Sequence, residues 1–160
     1  MTIWWRRLPQ SAPASFERRM AGPERAPETL RITTELADLA RLYPWLDEAG
    51  ARFSLPKKVL HAMQVVAEEV VMNAAMHAYA PGSRGEITVR VSAQDGVAAL
   101  VVEDAGPAFD PVAAAVKPPA KTLAEAKPGG HGLRFLKHYC QDISYLRTHD
   151  LNQLTLRFPY

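Results

Sequence analysis

Three groups of residues have types and spacings that suit chemistry. Glu69, Asn73 and His77 recur at every fourth position, which on a helix stacks them into one polar stripe, within a segment otherwise rich in Val, Ala and Met. Polar groups set in an apolar helix cost free energy unless they are satisfied, so this stripe either borders solvent or lines a site. Glu68 points roughly 100° away around the helix and reads as a solvated neighbour. The second group is Asp104-Ala105-Gly106-Pro107, where an apolar run ends in a carboxylate and a glycine. A carboxylate there can accept from an amino group while the glycine lets a ring approach the backbone. An Asp-initiated turn without a ligand is the simpler reading. The third group, Gly129-Gly130-His131-Gly132, directly precedes a helical pattern, where free backbone N–H groups and the helix dipole suit phosphate. Glycines also cap helices with no ligand present. The run fits neither the Walker A pattern nor the Rossmann fingerprint.

These groups need a scaffold, and periodicity supplies one. Thr29–Thr33 alternates as a short strand, and Glu35–Ala49 repeats Leu36, Leu39, Ala40 and Leu42 at helical spacing, with Pro44 expected to kink or split it. A second helix should open at Leu55-Pro56-Lys57, where proline suits a first turn, and run to about Tyr79. Its apolar face is predicted to be Leu60, Met63, Ala67, Val70 and Ala74. Glu86–Ala93 and Val97–Asp104 read as strands joined across Gln94-Asp95-Gly96, a sequence that favours a hairpin. Leu133–Cys140 reads as a helix, and Ile143–Thr148 and Leu151–Phe158 as two last strands around His149-Asp150. The predicted fold is α+β: a two-layer sandwich, with a mostly antiparallel, mixed sheet and helices on one face.

Length and composition are consistent with this. A chain of 160 residues, 48% hydrophobic and 22% charged, has about one domain's length and an ordinary globular balance. The formal net charge of +2 is local: Arg6, Arg7, Arg18, Arg19 and Arg25 outweigh Glu17 and Glu24 near the start. No basic stripe covers the rest, which argues against direct nucleic-acid binding. Residues 1–27 carry Pro9, Pro13, Pro23 and Pro27 and read as a flexible basic tail, leaving 28–160 as the folded domain. The single cysteine, Cys140, excludes an internal disulfide, fits a reducing compartment and reads as a small core residue. No signal-peptide core follows Arg6-Arg7, and no segment reaches the about 18 apolar residues of a membrane helix. The expected location is the cytoplasm, with no membrane partner. His61, His138 and His149 have no histidine or cysteine at metal-ligand spacing.

Taken together, Glu69-x-x-x-Asn73-Ala-x-x-His77-Ala, Asp104-x-Gly106-Pro-x-Phe109-Asp110-Pro and Gly129-Gly-x-Gly132-Leu133 resemble, in order and spacing, the N, G1 and G2 boxes of the GHKL (histidine-kinase-like) ATPase superfamily. The chain most resembles its small anti-sigma-factor serine kinases, of the RsbW and SpoIIAB type, as far as the closing Asn152-x-Leu154-Thr155-Leu156 strand. The resemblance covers about Thr29 to Phe158 and implies ATP and Mg²⁺ as cofactors. It implies Glu69 as the catalytic base toward an acceptor serine, Asn73 as a Mg²⁺ ligand through its side-chain oxygen, and Asp104 as acceptor from the adenine amino group, with Gly106 admitting the ring. Gly129, Gly130, Gly132 and Leu133 would frame the phosphates, His77 and Thr155 would belong to the nucleotide site, and residues 107–128 would form the ATP lid. Lys117, Lys121 and Lys127 in that lid read as solvated.

Three departures stand out. Ala108 replaces the usual second glycine of the G1 box, and Ala105 follows the aspartate where relatives often carry Asn. His131 stands where many relatives have an apolar residue and reads as a capping residue. The resemblance implies a serine-protein kinase and anti-sigma factor in a partner switch, phosphorylating a small anti-anti-sigma (STAS-type) protein and binding a sigma factor, with a homodimer compatible. The alternative is a nucleotide-binding adaptor with little or no kinase activity, which Ala105 and Ala108 motivate. An ATPase fragment of a sensor histidine kinase is a weaker reading, because no dimerisation helix with an acceptor histidine is evident.

Overall fold

In five segments more and less exposed residues alternate along the chain, so each turns one side inward. In the computed structural model, which describes residues 25–77, 79, 84–111 and 132–160, they are β1 (Glu28–Thr33), β2 (Glu86–Gln94), β3 (Val97–Asp104), β4 (Asp142–Thr148) and β5 (Leu151–Pro159). They form one sheet in the order β1-β2-β3-β5-β4, and every described pairing is antiparallel. The predicted strands are present with ends moved by a residue or so. The Trp4-Trp5 tail, the lid from 112 onward, Gly129, Gly130 and His131 lie outside the described residues.

The β2–β3 hairpin forms where Asp95-Gly96 predicts it. Both residues have positive φ, 51° and 75°, the type I′ geometry that matches the twist of the flanking strands. A Cβ on Gly96 would stand 3.0 Å from the Tyr160 carbonyl oxygen, and the Gly96 carbonyl accepts from Tyr160 N at 2.8 Å. The same two-residue economy closes β4–β5, where Thr148 pairs with Leu151 and His149 takes φ 55°.

Four helices accompany the sheet: α1 (Leu36–Leu39), α2 (Leu42–Arg52), α3 (Lys57–His77) and α4 (Gly132–Tyr139). The predicted split in the first helical pattern is real, but the break falls at Ala40-Arg41, ahead of Pro44. Pro44 lies in the first turn of α2, where its missing N–H has no intrahelical partner to lose. The first bond of that helix is Trp45 N to Arg41 O at 3.2 Å.

The long helix α3 packs against β3, β2 and β5 on one side of the sheet and against α2 and α4. Met63, Val66 and Ala67 of α3 share one core cluster with Val89, Leu100 and Leu156 of the sheet, all essentially inaccessible to solvent. The apolar face of α3 is broader than predicted: Met63, Ala67 and Ala74 are buried as expected, together with Val59, Ala62, Val66 and Val71, while Leu60 and Val70 are only partly covered. The face is broader because α3 packs against α2 and α4 as well as the sheet.

The opposite sheet face carries polar side chains. Glu103 accepts from Arg90 at 2.7 Å and from Gln153 at 2.6 Å, and the Arg90 bond is the main cause holding its carboxyl below the usual range. One covered and one polar face make a two-layer α+β sandwich. Among the described residues no helix is long and apolar enough to cross a membrane.

Candidate functional site

The ridge of α3 that carries Ala62 and Val66 into the core continues one turn later as Glu69 and then Asn73, both half-buried. The change from apolar to polar marks where the helix emerges from its packing. Asn73 Nδ2 donates to Glu69 Oε1 at 3.1 Å. An ionised carboxylate can only accept, so the amide nitrogen must face it and Asn73 Oδ1 is turned away. That leaves a hard oxygen beside a carboxylate, the donor chemistry that suits Mg²⁺. His77 closes α3, and its side chain lies outside the described residues. Glu68 faces elsewhere, as its helix angle predicts, and accepts from Tyr43 Oη at 2.5 Å. That bond, with some burial, pushes the Tyr43 hydroxyl up to about 12.

At the end of β3, Asp104 Oδ1 accepts from Gly106 N at 2.8 Å. The Asp-initiated turn is therefore present. The same oxygen also accepts from Asn152 Nδ2 at 2.9 Å, across the register that pairs Asp104 with Asn152. Asn152 is 6% exposed and is the one buried polar residue among the described residues. Its Nδ2 also donates to the carbonyls of Gly106 at 3.2 Å and Pro107 at 3.0 Å. Its Oδ1 accepts from Tyr145 Oη at 2.7 Å and Arg147 Nη1 at 2.6 Å. Arg147 Nη1 adds a bond to the Gly106 carbonyl at 2.9 Å. The turn after β3 is thus held by side chains of the β4–β5 hairpin.

Tyr79, just beyond α3, braces the same turn from another direction. Its hydroxyl donates to the Glu86 carbonyl at 2.8 Å and accepts from Ala105 N at 3.1 Å. Its ring lies on Gly85, where a Cβ would come within 2.3 Å, so a side chain there would displace it. Burial raises the Tyr79 hydroxyl above its ordinary value, which keeps it a neutral donor.

The structure brings Glu69 and Asn73 together, and Asp104 and Gly106. Gly132 and Leu133 form the first turn of α4, which packs on α3; Gly129 and Gly130 fall outside the described residues. Thr155 lies on the other face of the sheet. Along β5 the buried residues are Asn152, Leu154, Leu156 and Phe158, so alternation points Thr155 to the opposite sheet face, away from Asp104. Asn152, Arg147, Tyr145 and Tyr79 were not among the expected site residues. The available signal was a polar residue at a buried parity: Asn152 shares a face with Leu154 and Leu156, and Arg147 with Ile143 and Tyr145. Burial pushes the Cys140 thiol up to about 12, in keeping with an inert small core residue.

Comparison with known proteins extends this geometry. Residues 32–158 match the family described as the histidine kinase-like ATPase domain. The serine/threonine-protein kinase BtrW of Bordetella bronchiseptica is 30% identical over 129 residues, covering 81% of this chain and 91% of that protein. The anti-sigma F factor of Bacillus licheniformis is 26% identical over 117 residues, 73% of each chain. Among solved structures, that of the RsbU and RsbW domains of Rv1364c from Mycobacterium tuberculosis superposes with a TM-score of 0.60 at 18% identity, covering 84% of this chain. The chain spans 32% of that longer protein, and at this identity the likeness is one of fold.

Proposed function

This chain belongs to the histidine kinase-like ATPase family, and from that premise we propose that it is an ATP- and Mg²⁺-dependent protein serine kinase acting as an anti-sigma factor. Its acceptor is a serine on a small anti-anti-sigma protein of the STAS type. The observation that carries the reading is the Glu69–Asn73 pair, half-buried on one ridge of α3 with the amide nitrogen on the carboxylate. The kinase and anti-sigma names of the relatives support it.

In this reading Asp104 accepts from the adenine amino group beside Gly106, and Asn73 Oδ1 would hold Mg²⁺. When bound, the cation neutralises phosphate charge. Glu69 takes the proton of the acceptor serine as its Oγ bonds to the γ-phosphorus. The bridging P–O bond to the β-phosphate breaks, and ADP leaves with that oxygen. Gly129, Gly130, Gly132 and Leu133 would border the phosphates, and His77 would belong to the nucleotide site. Residues 107–128 serve as lid.

The test uses the full chain, Mg²⁺, ATP labelled on its γ-phosphate and a STAS-type partner from the same genome. Label on a partner serine is expected, with the Glu69→Ala variant about 100-fold or more slower at unchanged ATP affinity. Intact partner binding without any transfer overturns the kinase and leaves the second reading, a nucleotide-dependent adaptor. Ala105 favours that reading: its methyl side chain has no hydrogen-bonding group to offer a lid, and its backbone N–H goes to Tyr79.

A further inference from the structure

We propose that Asn152, seated by Arg147 and Tyr145, is a specificity-determining positioning residue that makes the Asp104 site select a base bearing an exocyclic amino group over one bearing a keto oxygen. The inference rests on the reading of Asp104 as the base-binding carboxylate. Both hydrogen bonds to Asp104 fall on Oδ1, from Gly106 N and Asn152 Nδ2. With that oxygen occupied by two donors, the carboxylate is turned so that Oδ2 is the oxygen left to meet a ligand.

Asn152 can adopt only one amide orientation. Three groups on its Nδ2 side, Asp104 Oδ1 and the Gly106 and Pro107 carbonyls, accept hydrogen bonds and cannot donate. On its Oδ1 side Arg147 is a donor that cannot accept. A flipped amide would set oxygen against three acceptors and nitrogen against a guanidinium. Tyr145 Oη, which can both donate and accept, fills the remaining lone pair of Oδ1. The orientation of Asp104 is therefore built into the hairpin before a ligand arrives. A keto oxygen brought to Oδ2 would face an acceptor with an acceptor and leave both unpaired, the mismatch that gives polar sites their largest discrimination.

The probes are ATP and inosine triphosphate, which differ only in amino against keto at one ring position and the proton on the adjacent nitrogen. Calorimetric affinities of the full chain for both, with Mg²⁺, are compared with those of Asn152→Leu and Arg147→Met. Wild type is expected to favour ATP by about 100-fold. Asn152→Leu should lower that ratio about tenfold or more, and Arg147→Met, which keeps the stem and loses the donors, about threefold. A residue that merely stabilises the fold weakens both nucleotides alike and leaves the ratio intact; that result in both variants overturns the proposal while the nucleotide-site reading stands. Wild-type protein that binds neither nucleotide overturns both. If Asn152→Leu does not fold, Arg147→Met on its partly exposed side chain decides alone, by whether its ratio moves.

Discussion

The two polar clusters of this molecule are built in opposite ways. Around Asn152 each side-chain polar atom has partners, five bonds converging on one buried amide, whereas Glu69 and Asn73 share one bond of 3.1 Å on a half-buried ridge. A saturated buried network is rigid and costly to break, because each lost partner leaves a desolvated group unpaired. A single bond at the edge of solvent is easily traded for a ligand or a cation. One end of the proposed site is thus pre-shaped, and the other keeps donors available.

The largest effect should come from breaking the saturated cluster. Asn152→Leu leaves Asp104, two carbonyls and two donors without their shared partner, and is expected to cost about 2–3 kcal/mol of stability, read from urea denaturation. The counterpart, Asn73→Ala, should change stability by only about 0.5 kcal/mol yet lower ATP affinity about tenfold in the presence of Mg²⁺ and little without it, measured by calorimetry. If Asn73→Ala destabilised as much as Asn152→Leu, the contrast between the clusters would collapse.

Smaller effects sharpen the comparison from outside it. Asp38 accepts from Thr33 N at 2.8 Å and from Arg41 at 2.6 Å, and Arg41 is the main cause lowering its carboxyl to about 2 from 3.8. Because the folded value lies below the unfolded one, its contribution is present above about pH 4 and fades as pH falls through about 2. The denaturation midpoints of wild type and Asp38→Asn should therefore converge at acid pH. Nucleotide affinity should be untouched. Thr155→Val, on the polar sheet face, should move ATP affinity by about twofold at most. A larger loss would return Thr155 to the site that its strand parity removes it from.

Most of the scaffold could be read from residues. The apolar run of β3, the alternation in β5, the Asp95-Gly96 hairpin and the start of α3 at Pro56 all follow from local rules, since a side chain's face and a turn's φ depend on near neighbours. The break near Pro44 was legible in kind and misplaced in position, because a proline is accommodated in a first turn as readily as it interrupts a later one. The apolar face of α3 was drawn too narrowly, because it contacts two helices as well as the sheet. The order and spacing of Glu69, Asn73, Asp104 and Gly106 also pointed to the family that residues 32–158 match.

By itself the sequence determined the elements, the α+β class, the placing of Glu69 and Asn73 on one helical stripe and the carboxylate at a strand end. Helical and strand periods set these within a few residues of each position. Only the tertiary structure decided that Asn152, 48 residues after Asp104, supplies its second donor, that Arg147 and Tyr79 brace the same turn, and that Thr155 looks the other way. Those outcomes depend on which strands become neighbours and in what register, and a register shift of one residue would exchange Asn152 for Gln153 on the buried face.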